Sequence, residues 1–295
     1  MLLIGVSCNK DIPGGSAGKY PILFRSMEET RAQATVETMQ GDADGFNVYA
    51  FFTTPTATGL SFTKNVKYAN TAWTYVHDNQ GLEYWIPGAK YWFKAVYPAT
   101  ITHDVDCANS DLKLTISNFD VRNQDDILVA ETGELDVDNT LGAPATGSIV
   151  NLQFKHLLAN VVVKIKAEVN VTINNVSLKY VPVKGSYADG SWSSYSSQGN
   201  IEKDGLNKSL SSSSNEYHDV TDGGFLVFPS SVDGVQLYIK TSDKTYELPL
   251  KAPDSWNMGI KYTYTLTIKQ NDILFDEPTV EEWDEENATG SVVIK

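Results

Sequence analysis

The sequence predicts an all-β protein built from two β-sandwich domains of about seven strands each. Three observations predict it. Strict apolar/polar alternation recurs along the chain, most cleanly where Tyr262, Tyr264, Leu266 and Ile268 alternate with Thr263, Thr265 and Thr267. Phe, Trp and Tyr make up 11% of the residues and Val, Ile and Thr are plentiful, a mixture that suits pleated, half-buried surfaces. No segment holds a helical period for more than two turns. The length of 295 residues favours two domains over one.

Taken in order, the chain opens on Met-Leu-Leu-Ile-Gly-Val-Ser-Cys8, which reads as the end of a secretory apolar segment running into a bacterial lipoprotein box. Cys8 would then be the lipidated residue, and residues 9–19 a Gly/Pro/Ser-rich tether. Ile22, Leu23 and Phe24 form a short apolar strand within 20–24. Beyond it lies an acidic hinge carrying Arg25 and Arg31; the one other arginine is Arg122. Phe46, Val48, Ala50 and Phe52 share one strand face, after the turn Gly41-Asp-Ala-Asp-Gly45. A looser pair follows at 60–68 and 72–76. The aromatic block 82–98 breaks at Pro87-Gly88 into two expected strands, the second with Tyr91, Phe93, Ala95 and Tyr97 on one face. Leu112, Leu114 and Ile116 give another strand, and 126–131 one more.

Residues 132–148 are polar and turn-rich, so the domains are drawn as 20–140 and 149–295, after the leader and tether 1–19. In 150–166 the alternation of Leu152, Phe154, His156 and Leu158 slips phase to Val161, Val163 and Ile165, the mark expected of a β-bulge near Ala159-Asn160. Further strands are expected at 171–181, 224–228, 235–241, 245–250 and 261–268. The Ser/Gly/Asn-rich stretch 186–216 is expected to form long loops with a weak hairpin around 192–195.

Charge and motifs narrow the function. A formal charge of -14 argues against nucleic acid, because phosphate binding needs a basic footprint. The histidines His77, His103, His156 and His218 form no metal or catalytic cluster, and His156 sits on an apolar face as a core residue. The acidic loops at Asp42/Asp44, Asp104/Asp106/Asp111 and Asp136/Asp138 lack the twelve-residue calcium pattern and read as turn acids. Neither a nucleophile elbow nor a phosphate loop is present, so no catalytic residue, cofactor or metal is assigned and the chain is not expected to be an enzyme. Cys107 reads as a loop thiol. Among six tryptophans, Trp85, Trp92 and Trp256 read as packing residues, while Trp73 and Trp192 are the candidates for exposed sugar-stacking platforms.

An ordered set of motifs then carries a resemblance: Val6-Ser-Cys8, Thr30-Arg-Ala32, Gly41-Asp with Phe46-Asn-Val-Tyr-Ala50, Tyr84-Trp-Ile-Pro87, Trp92-Phe-Lys-Ala-Val-Tyr-Pro98, Asp126-Ile-Leu-Val-Ala130, Val150-Asn-Leu-Gln-Phe-Lys-His-Leu-Leu158, Trp256-Asn-Met-Gly-Ile-Lys-Tyr-Thr-Tyr264 and Trp283. In this order the chain resembles the fimbrillin-like (Mfa-like) lipoproteins of Bacteroidales. The resemblance implies a transthyretin-like, Greek-key sandwich in each half. It also implies export as a lipoprotein to the outer membrane and assembly into surface pili with other subunits by strand exchange. Carried onto this sequence, the removable strand is Ile22, Leu23 and Phe24. An arginine-specific protease would cut Arg31-Ala32, with Arg25-Ser26 second. The donor would be Val292, Val293 and Ile294 in the tail 284–295.

That tail is a dozen residues, spanning at most ~40 Å fully extended. Its Val292, Val293 and Ile294 read equally as a closing strand of the second sandwich. A pilus subunit, as stalk or tip adhesin with a host glycan or protein ligand, is therefore the expected function. The alternative is a monomeric surface lipoprotein that binds glycans on exposed aromatics.

Overall fold

In a computed structural model of the chain, the described residues are 20–27, 36–69, 72–75, 80–188, 190–270, 272–276 and 278–283. Cys8, Arg31, Ala32, His77 and Val292, Val293 and Ile294 lie outside them.

The first half supplies β1 (Leu23–Met27), the six-residue helix α1 (Val36–Gly41), β2 (Phe46–Thr53), β3 (Leu60–Ala69), β4 (Ala72–Thr74), β5 (Lys90–Tyr97), β6 (Asp104–Asp106), β7 (Lys113–Asp120), β8 (Leu128–Glu131) and β9 (Leu135–Asp136). The second supplies β10 (Ile149–Gln153), β11 (Lys155–His156), β12 (Ala159–Ala167), β13 (Val171–Ala188), β14 (Ser191–Leu210) and β15 (His218–Asp219). It continues with β16 (Phe225–Val227), β17 (Gln236–Thr241), β18 (Thr245–Pro249), β19 (Ile260–Ile268), β20 (Ile273–Phe275) and β21 (Thr279–Glu282).

Alternation decides which faces are buried. In β2 and β5, Phe46, Val48 and Ala50 face Tyr91, Phe93 and Ala95 across antiparallel ladders in a sheet ordered β11-β8-β5-β2-β3-β4, with β9 beside β5. Gly45 turns the chain into β2 at φ +65°, where a side chain would meet the Val66 carbonyl. The far face of this sheet is not all solvent: Val96 joins the second core, and Tyr49 and Val129 pack against it.

That second core lies between two six-stranded sheets. One runs β15-β12-β19-β20, with β16 and β21 alongside; the other runs β18-β17-β13-β7-β6, with β14 on β13. Val161, Val163 and Ile165 of β12 and Tyr262, Tyr264 and Leu266 of β19 meet Val176, Leu178, Leu237 and Ile239 from the opposite sheet. Thr263 and Thr267, expected outside, are also buried, because β19 is paired on both sides.

Four expectations change. The block 82–98 holds one strand, β5; its first half contributes only an isolated bridge from Tyr84 to Pro21. The phase slip in 150–166 is no bulge within one strand. Val150, Leu152 and Phe154 belong to the first core, while Leu157 onward belongs to the second, so the slip marks where the chain crosses between cores. The stretch 186–216 is mostly strand: β13 and β14 form a long antiparallel hairpin with four register shifts. Its outer strand is rich in Ser, Gly and Asn because most of its residues face water. Finally, β6 and β7 extend the sheet of β13 and β17 rather than the first sheet, so the two cores interleave along the sequence.

Candidate functional site

The site is the groove that holds residues 20–27. Pro21 has no N–H to give, so the segment starts with single contacts and becomes a ladder only after it. The Ile22 N–H donates to the Glu83 carbonyl (2.9 Å), and the Trp85 N–H donates to the Tyr20 carbonyl (3.0 Å). From Leu23 the chain pairs in parallel with β10, Leu23 opposite Ile149, Arg25 opposite Asn151 and Met27 opposite Gln153. The strand is therefore Leu23–Met27, displaced toward the C-terminus from the expected 20–24, with Ile22 just ahead of it.

The alternation puts Ile22, Phe24 and Ser26 inside and leaves Arg25 exposed. Phe24 meets the rings of Tyr75 (5.7 Å) and Phe93 (5.5 Å). The Tyr75 hydroxyl donates to the Ile22 carbonyl at 2.7 Å and accepts from the Glu83 N–H at 3.0 Å, tying the segment to the 83–85 stretch. Burial pushes the Tyr75 phenol up to about 12, and burial does the same at Tyr91 below it. Trp85 Nε1 donates to the Ser148 carbonyl, pinning the start of β10.

Two features set this strand apart from an ordinary first strand. β1 is the ladder partner of β10, and among the described strands β10 has no other. Taking β1 away leaves the β10 backbone groups without their ladder partner and takes the Phe24 ring off Phe93, which also packs on Phe62, Trp85 and Tyr91. In addition, Ser26 Oγ is buried with no hydrogen-bond partner among the described residues. A buried hydroxyl without a partner costs ~1–3 kcal/mol.

The other sequence candidates settle as follows. Arg25 is exposed, and its backbone lies in the ladder opposite Asn151. Trp192 is 8% exposed, donates from Nε1 to the Leu157 carbonyl (2.6 Å) and packs on Phe228, so it is a core residue and no sugar platform. Trp73 is half-buried between Phe46 and Tyr68. Both are tied down by partners that alternation does not reveal.

His156 is buried as expected. Its Nδ1 lies 3.0 Å from Asp126 Oδ1, and its ring stacks on Trp283 at 3.8 Å and 9°. His103 accepts at Nε2 from the Tyr49 hydroxyl and donates from Nδ1 to the Ile101 carbonyl, and His218 bonds Ser214. The acids act as turn formers: Asp42 accepts from the Asp44 N–H, and Asp138 from those of Thr140 and Leu141. Among the described residues no cluster of His, Cys, Asp or Glu has the arrangement of a metal site. No helix of the described residues is long and apolar enough to cross a membrane.

The architecture and the groove define a class: a β-sandwich protein whose distinctive surface is a strand-holding groove. Comparison with known proteins gives the family. The fimbrillin-like family model matches residues 30–283, so the chain belongs to the fimbrillin-like family, whose members are structural proteins of the cell surface and not enzymes. The chain is similar to a solved fimbrial protein from Bacteroides vulgatus, at 17% identity and a TM-score of 0.61, covering 90% of this chain and 99% of that one. It is similar to cell adhesion proteins, so described, from Bacteroides ovatus (16%, TM-score 0.60, 92% and 100% covered) and Bacteroides uniformis (19%, TM-score 0.53, 91% and 99% covered). At these identities the likeness is one of fold. No curated protein matches the chain.

Proposed function

We propose that the chain is a structural subunit of a cell-surface pilus, exported as a lipoprotein through Cys8 and organised as two sandwich units. It joins its neighbours after its first strand is cut away and a strand from another subunit fills the groove. The observation that carries this reading is the β1–β10 pair: a ladder with a single partner among the described strands and two buried apolar anchors at Ile22 and Phe24. Strand replacement works because ladder hydrogen bonds can be supplied by any extended backbone, while alternate side chains select what fits. Arg25 lies within the ladder, so the cut falls at Arg31-Ala32, and β1 leaves whole.

The test is to treat the purified protein with catalytic amounts of an arginine-specific protease. Trimming confined to Arg31-Ala32, followed by growth of oligomers in light scattering, is the expected result. A protein that resists trimming and stays monomeric overturns it. Tryptophan quenching by an oligosaccharide in such a monomer would establish the glycan-binding alternative instead.

A further inference from the structure

We propose that the outer face of the sheet of β17, β13 and β14, around Tyr180, is a binding site for neutral sugars. A pyranose lies with its C–H face on the Tyr180 ring, and its hydroxyls bond the carboxamides of Gln198, Asn200 and Gln236. The site serves a pilus subunit and a monomeric lipoprotein alike, so it stands apart from the strand-exchange reading.

Tyr180 is the extra residue of a bulge in β13. Lys179 pairs with Asn200 and Val181 with Gly199, which leaves Tyr180 between them without a partner on β14. Its φ is +63°, in the left-handed region that bulky side chains seldom adopt; the other non-glycine residues found there are Asn, Gln, Ser and Asp. The bulge itself has a structural cause, since β13 leaves β17 after Lys179 and joins β7 from Lys184. A glycine would make that change of partner without strain, so the hand-over explains the bulge and not the tyrosine. The ring adds no packing either. Tyr180 is 53% exposed, and its side chain makes no hydrogen bond, ring contact or ion pair among the described residues. A strained backbone that carries an exposed, unengaged ring aims that ring at something outside the fold.

The register places the polar partners. Leu178 pairs with Ile201 and Leu237, all three buried, so the next row, Lys179 with Asn200 and Gln236, faces out. Pro182 pairs with Gln198 on the same outer face, because Val181 and Val183 on either side of it are buried. The side chains of Gln198, Asn200 and Gln236 make no hydrogen bond among the described residues. Asn200 and Gln236 stand two inter-strand steps apart, about 10 Å, a gap that a disaccharide spans. Each carboxamide offers donors and an acceptor, which is what a pair of vicinal hydroxyls needs.

The charge on this face is already matched. Lys179 lies over the Tyr238 ring at 3.8 Å and pairs with Glu247 at 3.4 Å, so it adds no open cation for an anionic ligand. A lipid surface would need an apolar patch, and here the ring is flanked by amides. One exposed ring among neutral donors and acceptors fits a neutral sugar: the ring takes the C–H face and the amides take the hydroxyls. Trp73 and Trp192, the aromatics that sequence puts forward for this chemistry, are held by their own neighbours, whereas Tyr180 is not.

The experiment is saturation-transfer NMR and calorimetric titration of the uncut full chain with three neutral probes: lactose, maltotriose and triacetylchitotriose. An open site with one ring predicts that at least one probe binds, with a dissociation constant on the order of 1 mM. Tyr180→Gly and Tyr180→Asn both suit this φ, and each should weaken that binding by about tenfold or more while the thermal midpoint holds at or above the wild-type value. Tyr180→Phe keeps the ring and should keep the binding. Gln198→Ala and Asn200→Ala should each weaken it several-fold without moving the midpoint. A wild-type protein that binds none of the probes overturns the site, as does binding that survives loss of the ring. A midpoint that falls in both ring-less variants makes Tyr180 a structural residue and overturns the site as well. Self-association of the uncut protein without sugar binding, lost in Tyr180→Gly, names a second copy as the occupant and overturns the sugar. None of these outcomes decides whether subunits join by strand exchange.

Discussion

Phe24→Ala isolates the first strand's contribution. Phe24 is 4% exposed, with its ring against Tyr75 and Phe93, so truncation removes its buried surface and leaves a cavity between two aromatic rings. Buried Phe→Ala changes cost ~3–5 kcal/mol, and the ring stack offers little to collapse into the space. Urea unfolding of the uncut protein, followed by tryptophan fluorescence, reads this directly, since Trp85 packs edge-on to Tyr91 and Phe93 in the same core. With a slope of ~2–3 kcal/mol/M for a unit of this size, the midpoint of the first core's transition should fall by about 1–2.5 M. After trimming, the strand is gone from the groove and the variant should unfold like trimmed wild type, to within about 0.2 M. An equal drop in both forms means that the strand stays in place after cleavage, and no drop in the uncut form means that Phe24 is not packed as described.

Further outcomes follow from the same core. Tyr75→Phe removes the hydrogen bond to the Ile22 carbonyl and should cost the uncut protein ~1 kcal/mol, with faster exchange of the Leu23–Met27 amides in hydrogen-exchange mass spectrometry. Burial holds the Tyr75 and Tyr91 phenols up at about 12, above the ordinary value of 10.0 that they regain on unfolding. The neutral form is favoured in the fold, so their contribution is complete below pH 10 and fades as pH rises toward 12; alkaline unfolding should begin in that window and be blunted in Tyr75→Phe. Trp283→Ala removes the ring stacked on His156 and should destabilise the chain by ~3–5 kcal/mol in thermal or urea unfolding, while leaving trimming at Arg31-Ala32 unchanged.

The strands that carry a full apolar face were legible in the sequence. β2, β5 and β19 fall within a residue or two of their expected spans, because period-2 alternation is a direct image of one buried face. Ile22, Leu23 and Phe24 read only as one apolar run; the structure buries Ile22 and Phe24 and leaves Leu23 half-buried. What alternation could not show was partnership. Pairing β1 with β10 in parallel joins residues more than a hundred positions apart, and no local signal specifies that. The crossing at Leu157-Leu158 looked like a bulge because a change of core and an extra residue shift the phase identically. The hairpin of β13 and β14 was hidden by composition: an edge strand with its side chains in water has no apolar face to display. Trp192 misled for a related reason, since its polar neighbours Ser191 and Ser193 are exposed while its own ring turns inward onto Phe119 and Phe228.

The central claim is that the first strand leaves before subunits join. Intact-mass measurement of the subunits recovered from oligomers, after their dissociation in denaturant, tests it most directly. The account predicts a mass beginning at Ala32, with residues 20–31 absent from every incorporated subunit. Oligomers whose subunits still carry Leu23–Met27, at full stoichiometry, would contradict it.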